Sequence, residues 1–164
     1  MSRMLKHLFA PSASGTFSAD SLKRIHDAIA EDERRHRGEI CFAVESALHW
    51  RDVWNRVDSR QRAEDTFARL RVWDTAANNG VLVYLLLADH RIEIVADRGL
   101  RELVSAEQWR GICQLMEERL KADEPEQAVM RGVSEIGNLL AEYFPQVEGE
   151  IDTDELPNTP VLLR

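Results

Sequence analysis

Apolar positions along the chain follow two periods. Leu22, Ile25, Ile29 and Ala30 recur at helical spacing, with charge on the opposite face, and predict an amphipathic helix through about His36. Ser18 reads as its N-cap with Phe17 as a staple, and Arg37-Gly38 as its stop. The period then changes. Ile40, Phe42 and Val44 alternate with Cys41, Ala43 and Glu45, which predicts a strand over Glu39–Ser46 covered on both faces. Trp50, Val53, Trp54 and Val57 return to helical spacing and predict a helical turn packed on the sheet. Ser59 is placed to cap a further helix to Leu70, with Ala63, Phe67 and Leu70 inward.

The run from Asn78 to Leu100 is the most structured in its pattern. Asn78-Asn79-Gly80 is a turn, Val81–Leu87 a buried strand, Ala88–His90 a reversal, Arg91–Ala96 a second strand and Asp97-Arg98-Gly99 an acidic loop. Two antiparallel strands of similar length bring the start of the first beside the end of the second. Asn78, Asn79 and Asp97 are therefore expected at one sheet edge. A capping box, Ser105-Ala106-Glu107-Gln108, opens a helix to about Lys121, and Pro125 suits the first turn of a last helix that Pro145 ends. Strand, helix, hairpin and two more helices predict a three-layer α/β/α sandwich around a small mixed sheet.

Three segments follow: an arm over 1–17, the α/β domain over 18–146 and a tail over 147–164. The tail carries Glu148, Glu150, Asp152, Asp154 and Glu155 with no basic residue before Arg164, and is expected to be solvated or loosely docked. A length of 164 residues with 44% hydrophobic content suits one domain with an ordinary core. The net charge of −8 argues against nucleic-acid binding, which needs basic surface. The apolar run Val81–Ala88 is too short to span a bilayer, and the first ten residues lack the apolar stretch of a signal peptide. A cytoplasmic protein without direct membrane insertion is expected. Cys41 and Cys113 read as small buried hydrophobes rather than a disulfide.

Oxygen ligands gather at the hairpin loops, where a hard cation is accommodated by carboxylate, amide and carbonyl oxygens. Asp97 is the leading candidate ligand, with Asn78, Asn79 and Asp74 beside it and Glu102 as a second carboxylate. Gly80 and Gly99 give the loops their backbone freedom. Each of these residues also has an ordinary reading: turn chemistry for the asparagines and Asp97, a solvated carboxylate for Glu102. Arg98 flanks the acidic loop and offers a planar fork for phosphate, and is a better candidate than Arg91 on the hairpin. Glu45, at the other end of its strand, reads as a surface or ion-paired residue. The histidines are scattered, with His26 and His36 expected on a solvated helix. The tryptophans at 50, 54, 73 and 109 are expected to pack core and edges. Cys113 and Arg119 have the spacing of a cysteine phosphatase, but they fall mid-helix with Glu117 and Glu118 between them, not in a phosphate-binding loop.

These pieces also resemble a family. Asn79-Gly80-Val81-Leu82, Arg91-Ile92-Glu93-Ile94 and Asp97-Arg98-Gly99-Leu100 follow one another as in the TPM domain family. That family takes its name from a thylakoid lumen protein, a photosystem II repair protein and a membrane modulator. Gly38-Glu39-Ile40, Trp109 and Tyr143-Phe144-Pro145 extend the resemblance over roughly residues 18 to 146. Ala96 stands where soluble relatives usually have glycine. The resemblance implies an α/β/α sandwich and a calcium site near these loops, with magnesium open. It implies a binding or regulatory role with a protein partner that is membrane-associated in several relatives. Two alternatives stay open: a metal-assisted phosphatase, as some members are described, and a structural domain without metal.

Overall fold

A computed structural model describes residues 2–151 and 153–163; Asp152, one of the tail acids, lies outside the described residues. The elements in order are α1 (Arg3–Leu8), α2 (Ala13–Thr16), α3 (Ala19–Glu33), β1 (Glu39–Glu45), α4 (Trp50–Trp54), α5 (Ser59–Arg69), β2 (Gly80–Leu86), β3 (Arg91–Ala96), α6 (Ala106–Lys121), α7 (Pro125–Tyr143) and β4 (Val161–Leu163). A 3-10 turn, Arg98–Leu100, follows β3.

The sheet has the order β3-β2-β1-β4. β1 runs parallel to β2, with Glu39 opposite Gly80 and Glu45 opposite Leu86, and β2 pairs antiparallel with β3, with Val81 opposite Ala96. The period-2 alternation sorts side chains into two cores. Ile40, Phe42, Val44, Val81, Val83, Leu85, Ile92 and Ile94 meet Ile25, Ile29, Met116, Val133, Ile136 and Leu140 from α3, α6 and α7. Cys41, Ala43, Leu82, Tyr84, Leu86 and Val95 meet Val53 and Ala63 from α4 and α5 on the other face. Both β1 and β2 are buried along their whole length, as strands covered on two faces must be. The α/β/α sandwich expected from the pattern is thus the fold.

The helix starts match the sequence reading closely. Ser21 N–H donates to Ser18 Oγ at 3.1 Å, and Ser105 and Gln108 form the reciprocal capping box. At α5 the cap is Asp58, whose Oδ1 accepts from Gln61 N–H at 2.8 Å; Ser59 is the first helical residue instead.

The flanks differ from the pattern-based reading. β4 adds to β1 in parallel, with Ala43 opposite Val161 and Glu45 opposite Leu163, and Leu156 is buried in the second core. The tail therefore completes the sheet. His36 is fully buried rather than solvated, its ring bridging the Gly38 carbonyl at 3.0 Å and Asp32 at 3.1 Å. Trp50, Trp54 and Trp73 are exposed rather than packed. Of the four tryptophans only Trp109 packs against a core.

Candidate functional site: two oxygen-rich corners at one end of the sheet

The β2–β3 hairpin brings Asn78 onto the Asp97–Gly99 loop. Asn78 adopts a left-handed backbone, φ 51, which asparagine tolerates better than most residues. Its carbonyl accepts from Gly99 N–H at 2.9 Å, and its Oδ1 accepts from Arg98 Nε at 3.0 Å. Gly99 has no room for a side chain, because a Cβ there would meet the carbonyl oxygens of Ala77 and Asn78. Gly80 is held in the same way against the Val72 carbonyl. Both glycines are thus required by close backbone approach.

Asp97 Oδ1 accepts from Arg98 N–H at 2.7 Å and caps the 3-10 turn; its Oδ2 is buried and without a hydrogen-bond partner among the described residues. The carboxylate borders a cleft of about 660 Å³ that also touches Leu100, Arg101, Trp109 and Arg110. Asn79 points elsewhere: its amide Nδ2 donates to the Arg37 carbonyl at 2.7 Å, on the β1 side. Its Oδ1 is likewise buried and unpartnered among the described residues. Asp74 is exposed and pairs with Arg71 at 2.6 Å, and Glu102 is exposed. Arg98 is exposed, with its guanidinium committed to Asn78.

The second corner was not anticipated from sequence. Glu33 closes α3, Glu39 opens β1, and Asp154 arrives from the C-terminal segment; each offers a carboxylate oxygen, all within 4.8 Å of one another. Glu39 is buried. Its Oε1 accepts from Glu155 N–H at 3.1 Å and its Oε2 from Leu156 N–H at 3.3 Å. Glu33 Oε1 accepts from Ile40 N–H at 2.9 Å. Asn158 Nδ2 donates to Asp154 Oδ2 at 3.2 Å, while its Oδ1 is buried with no partner among the described residues.

Charge is unfavourable here. Burial, then the negative charge of Glu39 and Asp154, pushes the Glu33 carboxyl up to about 8, although the Ile40 N–H works the other way. Burial also pushes Glu39 up to about 7, with Asp154 and Glu155 adding to the effect and the two backbone donors opposing it. Carboxyls crowded this way hold their protons unless a positive charge joins them. The donor set is all oxygen, which fits a hard cation such as Ca²⁺ or Mg²⁺. Half a turn of the Asn158 amide would offer its unpartnered Oδ1 to such an ion. The signal available in sequence was Glu39 itself, a carboxylate opening an otherwise apolar strand.

At the far end of β1 the chemistry is structural. Glu45 is buried, and Arg62 grips it with Nε to Oε2 at 2.8 Å and Nη2 to Oε1 at 2.7 Å. Tyr84 Oη donates to Oε2 at 2.5 Å. The phenol is pushed well above its ordinary range by burial and by this carboxylate. Of the two readings open for Glu45, the ion pair is present and the surface placement is not, and its burial adds cost to any break. Burial pushes the Cys113 thiol up to about 11, the reverse of what a nucleophilic cysteine needs.

Comparison with known proteins gives the same fold. The chain is similar to the BA42 protein of the psychrophilic bacterium Bizionia argentinensis, solved by NMR: 32% identity, 89% of this chain and 94% of that one covered, TM-score 0.78. The N-terminal domain of a protein from P. gingivalis is 16% identical over 84% of this chain and 86% of its own, with TM-score 0.63. The N-terminal domain of cg2496 from Corynebacterium glutamicum is 11% identical over 87% and 86%, with TM-score 0.59. These two likenesses concern the fold alone. Curated proteins give no match. A family profile described as the TPM domain matches residues 12–139, which span α3, the hairpin and most of α7. With that span and the likeness to BA42, the chain belongs to the TPM domain family.

Proposed function

We propose that this protein is a binding or regulatory TPM module that takes up a divalent cation, calcium first, at Glu33, Glu39 and Asp154. The observation that carries the reading is the convergence of three carboxylates from three separate segments within 4.8 Å. A bound cation would return Glu33 and Glu39 to their charged forms and tie Asp154 to the sheet. Because Glu39 also receives the N–H groups of Glu155 and Leu156, the ion would act on the approach to β4. Cation level would then set how firmly the C-terminal strand is docked. We also propose the Asp97 loop as a weaker cation position, on the strength of its unpartnered Oδ2 and the carbonyls crowded at Gly99. A protein partner, membrane-associated as the family resemblance implies, would read the state of the docked segment.

The test is calorimetric titration of chelator-stripped protein with Ca²⁺ and Mg²⁺, with Glu39→Gln and Asp97→Asn in parallel. Saturable binding that is lost in Glu39→Gln and kept in Asp97→Asn is expected. At a concentration one hundred times Kd the ion should add about 2.7 kcal/mol to stability. Binding lost only in Asp97→Asn would move the ion to the hairpin, and a flat titration of the parent protein would end the cation reading.

A further inference from the structure

α1 is built with its polarity reversed. It packs on α4, and its own inward contacts are largely polar. His7 is buried; its Nδ1 accepts from Leu48 N–H at 3.0 Å and its Nε2 meets Asp89 Oδ1 at 3.2 Å. Arg3 joins the same Asp89 through Nε at 3.0 Å and Nη2 at 2.8 Å. Only Met4 and Val53 reach the core below. The large apolar side chains point the other way: Leu8 is 72% exposed, Phe9 73%, Trp50 57% and Trp54 74%. Folding of this domain does not require them there. Leaving such groups in water is unfavourable by about 25 cal/mol per Å² of apolar surface, so four of them on and beside two helices that pack on each other point to an occupant.

The charges around the patch identify its chemistry. Lys6, Arg51 and Arg56 are exposed beside these residues, and the Arg51 guanidinium lies 5.3 Å from the Trp50 ring centroid. Asp52 is the one carboxylate on α4, in a chain whose net charge is −8. A second copy meeting this patch through a two-fold axis would set these cations against themselves. An anionic bilayer surface satisfies both features. Tryptophan settles at the headgroup level, phenylalanine and leucine bury at the headgroup–acyl boundary, and lysine and arginine gain from anionic lipid. We propose that the α1–α4 corner, through Leu8, Phe9, Trp50, Trp54 and the cations Lys6 and Arg51, docks the protein peripherally on an anionic lipid surface. The side chains reach only the headgroup and upper acyl region, and nothing spans. The rest of the acidic chain is repelled, which fixes which side faces the membrane.

The test is flotation of the whole chain, in chelator, with vesicles of phosphatidylcholine alone and of phosphatidylcholine mixed equally with phosphatidylglycerol. Working in chelator keeps the result independent of the cation site. Flotation with the mixed vesicles only, weakened by salt, is expected. Phe9→Ala with Trp54→Ala should abolish it, and Lys6→Glu with Arg51→Glu should reduce partitioning by about tenfold or more. All four positions are exposed, and circular dichroism checks that the variants fold. Equal flotation with neutral vesicles, none with mixed ones, or binding indifferent to both double variants would overturn the proposal. So would a dimer that Phe9→Ala with Trp54→Ala dissolves while the parent chain fails to float; the patch would then belong to a second copy.

Discussion

Raising the pH of cation-free protein should destabilise it through the Glu33–Glu39–Asp154 corner. Folding holds Glu33 at about 8 and Glu39 at about 7, against 4.5 for the unconstrained side chain. Between those limits the native state keeps protons that the unfolded chain has already released. Stability contributed by the protonated pair is therefore full below about pH 4.5 and is lost as pH rises toward 8. Each tenfold gain in proton affinity on folding is worth about 1.4 kcal/mol, so the two carboxyls taken separately would contribute about 8 kcal/mol. The carboxyls share one site with Asp154 and titrate together, so roughly half of that, about 4 kcal/mol, is the expected loss. Urea unfolding in chelator at steps from about pH 5 to about pH 8.5 measures it by linear extrapolation. Glu33→Gln should remove most of the slope, since the amide cannot ionise, and saturating Ca²⁺ should flatten it by replacing the protons. Stability that stays level or rises across this window would refute the reasoning. An unchanged slope in the Glu33→Gln, Glu39→Gln double variant would place the titration elsewhere.

Two further outcomes follow from groups already described. Arg62→Ala leaves Glu45 buried without its cation and should cost about 3–5 kcal/mol in urea unfolding, while Tyr84→Phe, which removes a single donor, should cost about 1–2 kcal/mol. Equal losses in the two variants would mean that the guanidinium holds the carboxylate no more firmly than the phenol does. Gly99→Ala forces a methyl group toward the Ala77 and Asn78 carbonyls and should destabilise by about 1–3 kcal/mol, with changes in amide NMR frequencies centred on Asn78 and Asp97. A neutral Gly99→Ala would show that the loop relaxes without strain.

The pattern of apolar residues was enough to place every long element. The α3 cap at Ser18, the Ser105 box and the hairpin register all depend on neighbours close in sequence, which periodicity reads directly. What escaped it depends on residues that are far apart. β4 is three residues long, follows Pro160 and lies behind an acidic run, so nothing local distinguishes it from a tail. His36 looks solvent-facing by position, yet the turn to Gly38 folds it under the chain. Trp50 and Trp54 were spaced correctly for a helix, but hydrophobicity alone pointed them inward, whereas Val53 is the α4 residue that reaches the core. At the site, Asn78 and the Asp97 loop meet as their strand pairing requires. Asn79 turns to β1, a choice made by the Arg37 carbonyl that a two-strand argument leaves out. Glu33, Glu39 and Asp154 become neighbours only once the last segment returns to the first strand.

That return also bears on how the protein assembles in time. Ala43 and Val161 pair across more than two thirds of the chain, so closing this contact carries the largest loop entropy in the sheet. The β1–β2–β3 ladder has far shorter closures and can form a nucleus without it. β4 is then a late addition, absent from the rate-limiting barrier, and substitutions in it should quicken unfolding while leaving the folding rate nearly untouched. Until it arrives, one side of β1 stands open. An extended segment of another chain could occupy that edge during synthesis, which makes the last strand the protein's own guard against misassembly.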